Sequence, residues 1–148
     1  MIVKTDNRVL IRVAEPNDLP ELFRLVDSYE MTIEADRDLV KNNLRDLLYI
    51  HGVMLGECNG QVIGGVAGYA LPCMFTNETL FACMFLYIKK EHRHLTKRFI
   101  QELELTFLPT KAKRLTFSTP ATPEGDKLQR FFRSLGYSEL ETHFSKRF

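Results

Sequence analysis

This sequence predicts a mixed α/β fold, in which an antiparallel meander of strands leads into alternating helices and strands. Three observations predict it. Apolar residues recur with a helical period up to residue 48 and with a strand-like period from Val53 onward. Asn59-Gly60 sits between two strand-like runs, the strongest short hairpin signal, because a type I′ turn needs two positive φ angles. The run 80–88 is nearly all apolar and aromatic, and two helical stretches separated by a short strand follow it. The resulting order is β-α-α-β-β-β-α-β-α-β, an α+β mixed sheet with helices on both faces.

The first strand is the short run Val9–Val13. Pro16 then stands at the first helical position, with Asn17 and Asp18 in the first turn, where polar and acidic groups suit the unpaired amides. Leu19, Leu22, Phe23, Leu25 and Val26 share one face of that helix, and Leu39, Val40, Leu44, Leu47 and Leu48 form the stripe of a second. Strands over 53–58 and 61–69 flank the Asn59-Gly60 turn, and Gly64, Gly65 and Gly68 within the second predict close packing or a bulge. After a loop containing Pro72, residues 80–88 form a central strand expected to be buried on both faces. A helix over 96–107 turns Phe99, Ile100, Leu103 and Phe107 inward. A strand over 114–118 and a helix over 126–135 follow, the helix closed by Gly136, and residues 137–146 supply a last strand or hairpin arm.

A chain of 148 residues is long enough for one sizeable core, and with no repeat or linker it reads as one domain spanning 1–148. A formal net charge of +1 gives no long-range field of the kind that draws a protein to nucleic acid or to a membrane surface. Basic residues cluster locally at Lys89, Lys90, Arg93, Lys97 and Arg98, with His92 and His94 among them, which points to a small anionic ligand. Cys58, Cys73 and Cys83 show no C-x-x-C pairing, so neither a disulfide framework nor a metal site is expected, and reduced thiols in a cytoplasmic setting are. No run of about 18 apolar residues suggests a membrane span, and the N-terminus lacks a signal-like apolar stretch. Oligomeric state leaves no mark in the sequence.

Four stretches carry a family likeness. Residues 11–20 run Ile-Arg-Val-Ala-Glu-Pro-Asn-Asp-Leu-Pro, residues 56–65 run Gly-Glu-Cys-Asn-Gly-Gln-Val-Ile-Gly-Gly, residues 86–93 run Leu-Tyr-Ile-Lys-Lys-Glu-His-Arg, and residues 131–137 run Phe-Phe-Arg-Ser-Leu-Gly-Tyr. In this order and spacing they resemble the GNAT superfamily of N-acetyltransferases along nearly the whole chain. The loop 72–79 and the arm 141–146 look most like acetyltransferase-like proteins encoded by bacteriophages, which would place the protein in a host cytoplasm.

The resemblance implies direct acetyl transfer from acetyl-CoA to an amine, the amine being that of a small molecule or a protein. It implies that the backbone of Leu86, Tyr87 and Ile88 holds the pantetheine arm. It also implies that Arg93, His94, Leu95, Thr96, Lys97 and Arg98 form the pyrophosphate loop at a helix N-terminus, where unpaired amides and the helix dipole favour anions. The family loop carries glycines that let the backbone curl around phosphate oxygens, and this one has none. Lys97, Arg98 and Arg93 are then expected to bind phosphate by side-chain charge, against the alternative of a solvated basic helix start.

The tyrosine that in the family often protonates the departing thiolate corresponds to Phe132, which has no proton to give and reads as a pocket-wall or core aromatic. The acidic residue often found on the fourth strand corresponds to Cys83, either a weak acid–base group or a small buried hydrophobe. Glu57 is the remaining candidate base, against the reading of an exposed strand charge. Two functions therefore stand open: an acetyl-CoA-dependent N-acetyltransferase, or a catalytically degenerate GNAT-fold binding or structural module, such as a phage protein.

Overall fold

The computed structural model describes residues 8–29 and 35–148. The chain divides into two compact units after Ser118.

The first unit is built on a five-stranded sheet of β1 (Val9–Val13), β2 (Val53–Cys58), β3 (Gln61–Pro72), β4 (Thr79–Ile88) and β5 (Ala112–Phe117). Spatial order follows sequence order. β1 to β4 are mutually antiparallel, and β5 joins β4 in parallel. The parallel pair needs a crossover, which α3 (Thr96–Phe107) provides. Asn59 and Gly60 take φ of 53° and 75°, as the tight turn between β2 and β3 requires.

α1 (Leu19–Ser28) and α2 (Arg37–Tyr49) cover one face of the sheet. Leu22, Leu25 and Val26 of α1 and Leu44 and Leu48 of α2 pack with Val53, Leu55, Ala67 and Tyr87. Of the α2 stripe read from the sequence, Leu39 is exposed, because the packed face is centred on Leu44 and Leu48. Asp36 caps α2 by accepting the amides of Asp38 and Leu39. Pro16 begins a single 3-10 turn, Pro16–Asp18, which feeds α1.

The other face carries α3, whose Leu103 and Phe107 pack with Met54, Val66, Phe81 and Cys83. Phe99, Ile100 and Leu103 are fully buried. Each such side chain removed from water is worth about 1.5–3 kcal/mol, which holds α3 on the sheet.

One expectation for β4 needs correcting. It is not buried on both faces throughout, since Met84 is 65% exposed and several neighbours are half-buried. The cause is a register shift against β3: Ala67 pairs with Phe85 and Gly68 with Cys83, so Met84 is an extra residue bulged out of the ladder. The close packing read from Gly68 is real. A Cβ there would lie 1.9 Å from the carbonyl oxygen of Ala82.

The second unit holds α4 (Pro123–Ser134). It starts three residues earlier than its apolar pattern predicts, because Thr122 accepts the amide of Gly125 and Pro123 takes the first helical position. Gly136, with φ of 92°, closes it. Residues 137–146 were expected to form a closing strand, and they form none. Leu140 and Phe144 alternate suitably but are 55% and 94% exposed. Without a ladder partner and a buried face, nothing offsets the entropy of holding a segment extended.

Candidate active site

The chemistry-bearing stretch runs from the middle of β4 into the first turn of α3, all within the first unit. β5 pairs with β4 only from Thr79↔Ala112 to Cys83↔Phe117, and there β5 ends. β4 continues through Met84, Phe85, Leu86, Tyr87 and Ile88, hydrogen-bonded to β3 on one side and without a β5 partner on the other. This half-strand therefore presents backbone N–H and C=O groups on its β5 side, next to the Met84 bulge. Backbone polar groups left without a ladder partner are open to another hydrogen-bonding group, and a ligand lying along the strand can provide one.

The side chains of Tyr87 and Ile88 are committed to the fold, so any contact they leave is through the backbone. Tyr87 is buried on the α1 face, where its hydroxyl donates to the Ser28 carbonyl at 3.1 Å and its ring meets Tyr29 edge-on. Ile88 is buried, and Leu86 is packed against the α3-side core. At the strand's end the Lys89 ammonium donates to Glu21 on α1 at 2.9 Å, and that bond holds the Glu21 carboxyl below its ordinary pKa.

Beyond β4 the chain does not form an open loop. Lys90–Leu95 coil as 3-10 turns and run directly into α3 at Thr96. A glycine-free segment favours such turns, since every residue in it tolerates ordinary helical angles. Leu95 is buried, so its contribution to any ligand is its backbone alone. The Thr96 hydroxyl donates to the Arg93 carbonyl at 2.7 Å. Arg93, His94, Lys97 and Arg98 are exposed at this corner. No described side chain caps the start of α3, and its first turn holds no acidic residue. Cations at a helix N-terminus oppose the dipole, so this corner is electrostatically disposed toward an anion.

The remaining candidates lie elsewhere. Cys83 occupies the last β4–β5 pair and is buried, and burial pushes its thiol up to about 12. At neutral pH such a thiol is fully protonated, so it is no base, and it gives up its proton less readily than an ordinary thiol. The small-hydrophobe reading fits it. Glu57, on β2, accepts from Arg12 Nε at 2.9 Å, while the other guanidinium nitrogens of Arg12 grip Asp18 at 2.7 and 2.8 Å. The Arg12 bond holds the Asp18 carboxyl below its usual range. Glu57 is thus one arm of a brace between β1, β2 and the entry to α1. Phe132 lies on α4 in the second unit, buried, with Phe131 at 5.6 Å and Tyr137 at 5.4 Å between ring centroids.

What sequence reasoning missed is Met84. An extra residue in a strand has no composition of its own, and only the glycines of the neighbouring strand, Gly64, Gly65 and Gly68, read as close packing or a bulge, hinted at it. Among the described residues there is no cluster able to hold a metal ion, and no helix long and apolar enough to cross a membrane.

No protein-family profile matches this chain, and no curated protein matches it in sequence. Solved structures do match in fold. A ribosomal-protein-alanine N-acetyltransferase from Brucella melitensis is 21% identical, with 95% of this chain and 99% of that one covered at a TM-score of 0.73. A GNAT family acetyltransferase from Staphylococcus aureus is 16% identical, covers 95% and 99%, and gives 0.71. A transcriptional regulator from Bacillus halodurans is 10% identical, covers 95% and 100%, and gives 0.73. Likeness at these identities is likeness of fold, and fold alone does not fix an activity.

Proposed function

We propose that this chain, which has the fold of the GNAT acetyltransferases, is an acetyl-CoA-dependent N-acetyltransferase acting on an amine. The observation that carries the reading is the half-strand Met84–Ile88, released from β5 beside a bulge and aimed at a basic helix start. A pantetheine arm has amides that suit a strand edge, and its diphosphate suits the corner beyond. The two needs fall along one line in the order that acetyl-CoA presents them.

In this reading the N–H and C=O groups of Leu86 and Ile88, which alternate away from β3, hold the pantetheine, while those of Tyr87 between them are turned to β3. The thioester then lies near the Met84 bulge, where an N–H facing away from β3 donates to the carbonyl oxygen as negative charge develops on it. The fixed strand holds the thioester while the acceptor nitrogen attacks, so positioning supplies much of the acceleration. Phosphates rest against Lys97, Arg98 and Arg93, side-chain charge replacing the glycine cradle.

Protonation of the leaving group needs no dedicated residue. An ordinary thiol has a pKa of roughly 8.5, so the thiolate is a fair leaving group and takes a proton from solvent. Phe132 and Cys83 are then no obstacle to turnover. An aliphatic amine, with a pKa of roughly 10.4, must lose a proton before it attacks.

Titration calorimetry with acetyl-CoA, coupled to a thiol-release assay with a panel of primary amines, tests the reading. Binding is expected in the micromolar range, about −8 kcal/mol, with thiol release that rises with pH between 7 and 9 and shows no acidic optimum. No binding at millimolar acetyl-CoA would leave the non-enzymatic binding module as the reading of this fold.

A further inference from the structure

We infer that the glycine pair Gly56 and Gly64 positions both ends of the phosphate turn. The inference rests on reading that turn as the phosphate site. Gly56 and Gly64 face each other across β2 and β3, and the same row continues to Ile11 on β1 and Ile88, the last residue of β4. Gly56 belongs to the α3 side of the sheet, two residues from Met54, which packs against Leu103. The row is therefore a notch, walled by isoleucine positions and floored by two residues without side chains.

Each glycine admits one end of the turn. The ring of Phe99 occupies the space over Gly56, where a Cβ would lie 2.2 Å from Phe99 Cε2 and 2.6 Å from Cδ2. Phe99 is fully buried and stands three residues after Thr96, in the first turn of α3. Gly64 admits the other end, since a Cβ there would lie 2.5 Å from the Tyr87 carbonyl oxygen and 3.0 Å from Ile88 Cα. Entry to the turn at Ile88 and exit from it at Phe99 are thus fixed against neighbouring positions of one row. The segment between them, Lys90–Leu95, contains no glycine and has little conformational freedom of its own. Its placement is imposed from beneath. Gly56 and Gly64 touch no ligand in this account and act as positioning residues through Phe99 and Ile88.

Gly56→Ala tests this most cleanly, because its clash is with a side chain rather than with backbone. The variant is expected to fold and to bind coenzyme A about tenfold more weakly, since a shift of about an ångström in a binding group can cost that much or more. Adding Phe99→Leu, which shortens the ring out of the clash, is expected to restore most of the affinity, a recovery that independent losses would not produce. Amide hydrogen exchange supplies a readout that needs no ligand. Gly56→Ala should speed exchange at residues 97–100 well beyond any change at 103–107. If Gly56→Ala does not fold, Phe99→Leu alone should show the same loosening confined to the first turn. Unchanged affinity in a folded Gly56→Ala, or exchange raised evenly along α3, overturns the inference. A wild-type protein that binds no coenzyme A, with the local loosening still seen in Gly56→Ala, would refute the phosphate reading and leave the positioning intact.

Discussion

Replacing Gly68 with alanine is expected to destabilise the first unit by about 3 kcal/mol, a large share of the roughly 5–15 kcal/mol that holds a typical domain folded. The added Cβ would lie 1.9 Å from the Ala82 carbonyl oxygen, 2.8 Å from its carbon and 3.1 Å from Cys83 Cα. All three are backbone atoms of β4, so no rotamer change relieves the contact. Nor can Gly68 retreat easily, because its amide donates to the Gly52 carbonyl at 2.9 Å on the other side. The strand pair would have to part where the ladder already shifts register around Met84. Denaturant unfolding followed by circular dichroism measures the effect. A loss below about 1 kcal/mol, within the range of an ordinary surface change, would mean that the strands do not approach as closely as described.

The second large effect is on binding. Lys97→Ala with Arg98→Ala is expected to weaken acetyl-CoA binding about a hundredfold. Charge-assisted hydrogen bonds contribute about 1.5–3 kcal/mol each. Both side chains are exposed, so the lower end applies, and two such contacts sum to about 3 kcal/mol, or two decades in Kd. For Lys97→Ala alone, stability should move the opposite way or not at all, because that variant removes an exposed cation from a helix start that disfavours it. Weakened binding in a protein no less stable than the parent separates a phosphate clamp from a general loss of structure. Calorimetry with thermal melts on the same samples reads both quantities. A change in Kd of less than about threefold would remove side-chain charge from the account, since it amounts to under 1 kcal/mol.

Much of the fold could be read because its elements carry local signals that tertiary contacts do not override. β1 was found at Val9–Val13, the Asn59-Gly60 turn adopted its positive φ angles, and α3 spans 96–107 as its apolar spacing predicts. Failures occurred where the outcome depends on a partner. Leu140, Thr142 and Phe144 have the alternation of a strand, but alternation states only that a segment is able to pair, and residues 137–148 form no strand. The start of α4 was misplaced because Thr122 and Pro123 lie outside the apolar pattern that defined the helix.

The site divides along the same line. That the candidates Leu86, Tyr87, Ile88 and Arg93 to Arg98, taken from the family resemblance, run from a strand into a helix was legible in the sequence. Their conformation was not, since a loop was expected where 3-10 turns run into α3. The residues proposed for acid–base work were chosen without knowledge of their surroundings, Cys83 by its correspondence to a family position and Glu57 by its type and its place on a strand. The structure surrounds Cys83 with apolar side chains, which accounts for its raised pKa, and gives Glu57 a guanidinium partner. The Met84 bulge depends on a one-residue mismatch between two strands, which neither strand encodes by itself.

Residue-resolved amide hydrogen exchange with and without acetyl-CoA bears most directly on the half-strand that β5 leaves uncovered. Saturating ligand should slow exchange at those amides between Met84 and Ile88 that point away from β3, and at the first-turn amides of α3, with little change in β1 and β2. Protection that spares residues 84–88, or that appears only in β1, β2 or α2, would contradict a thioester lying along β4.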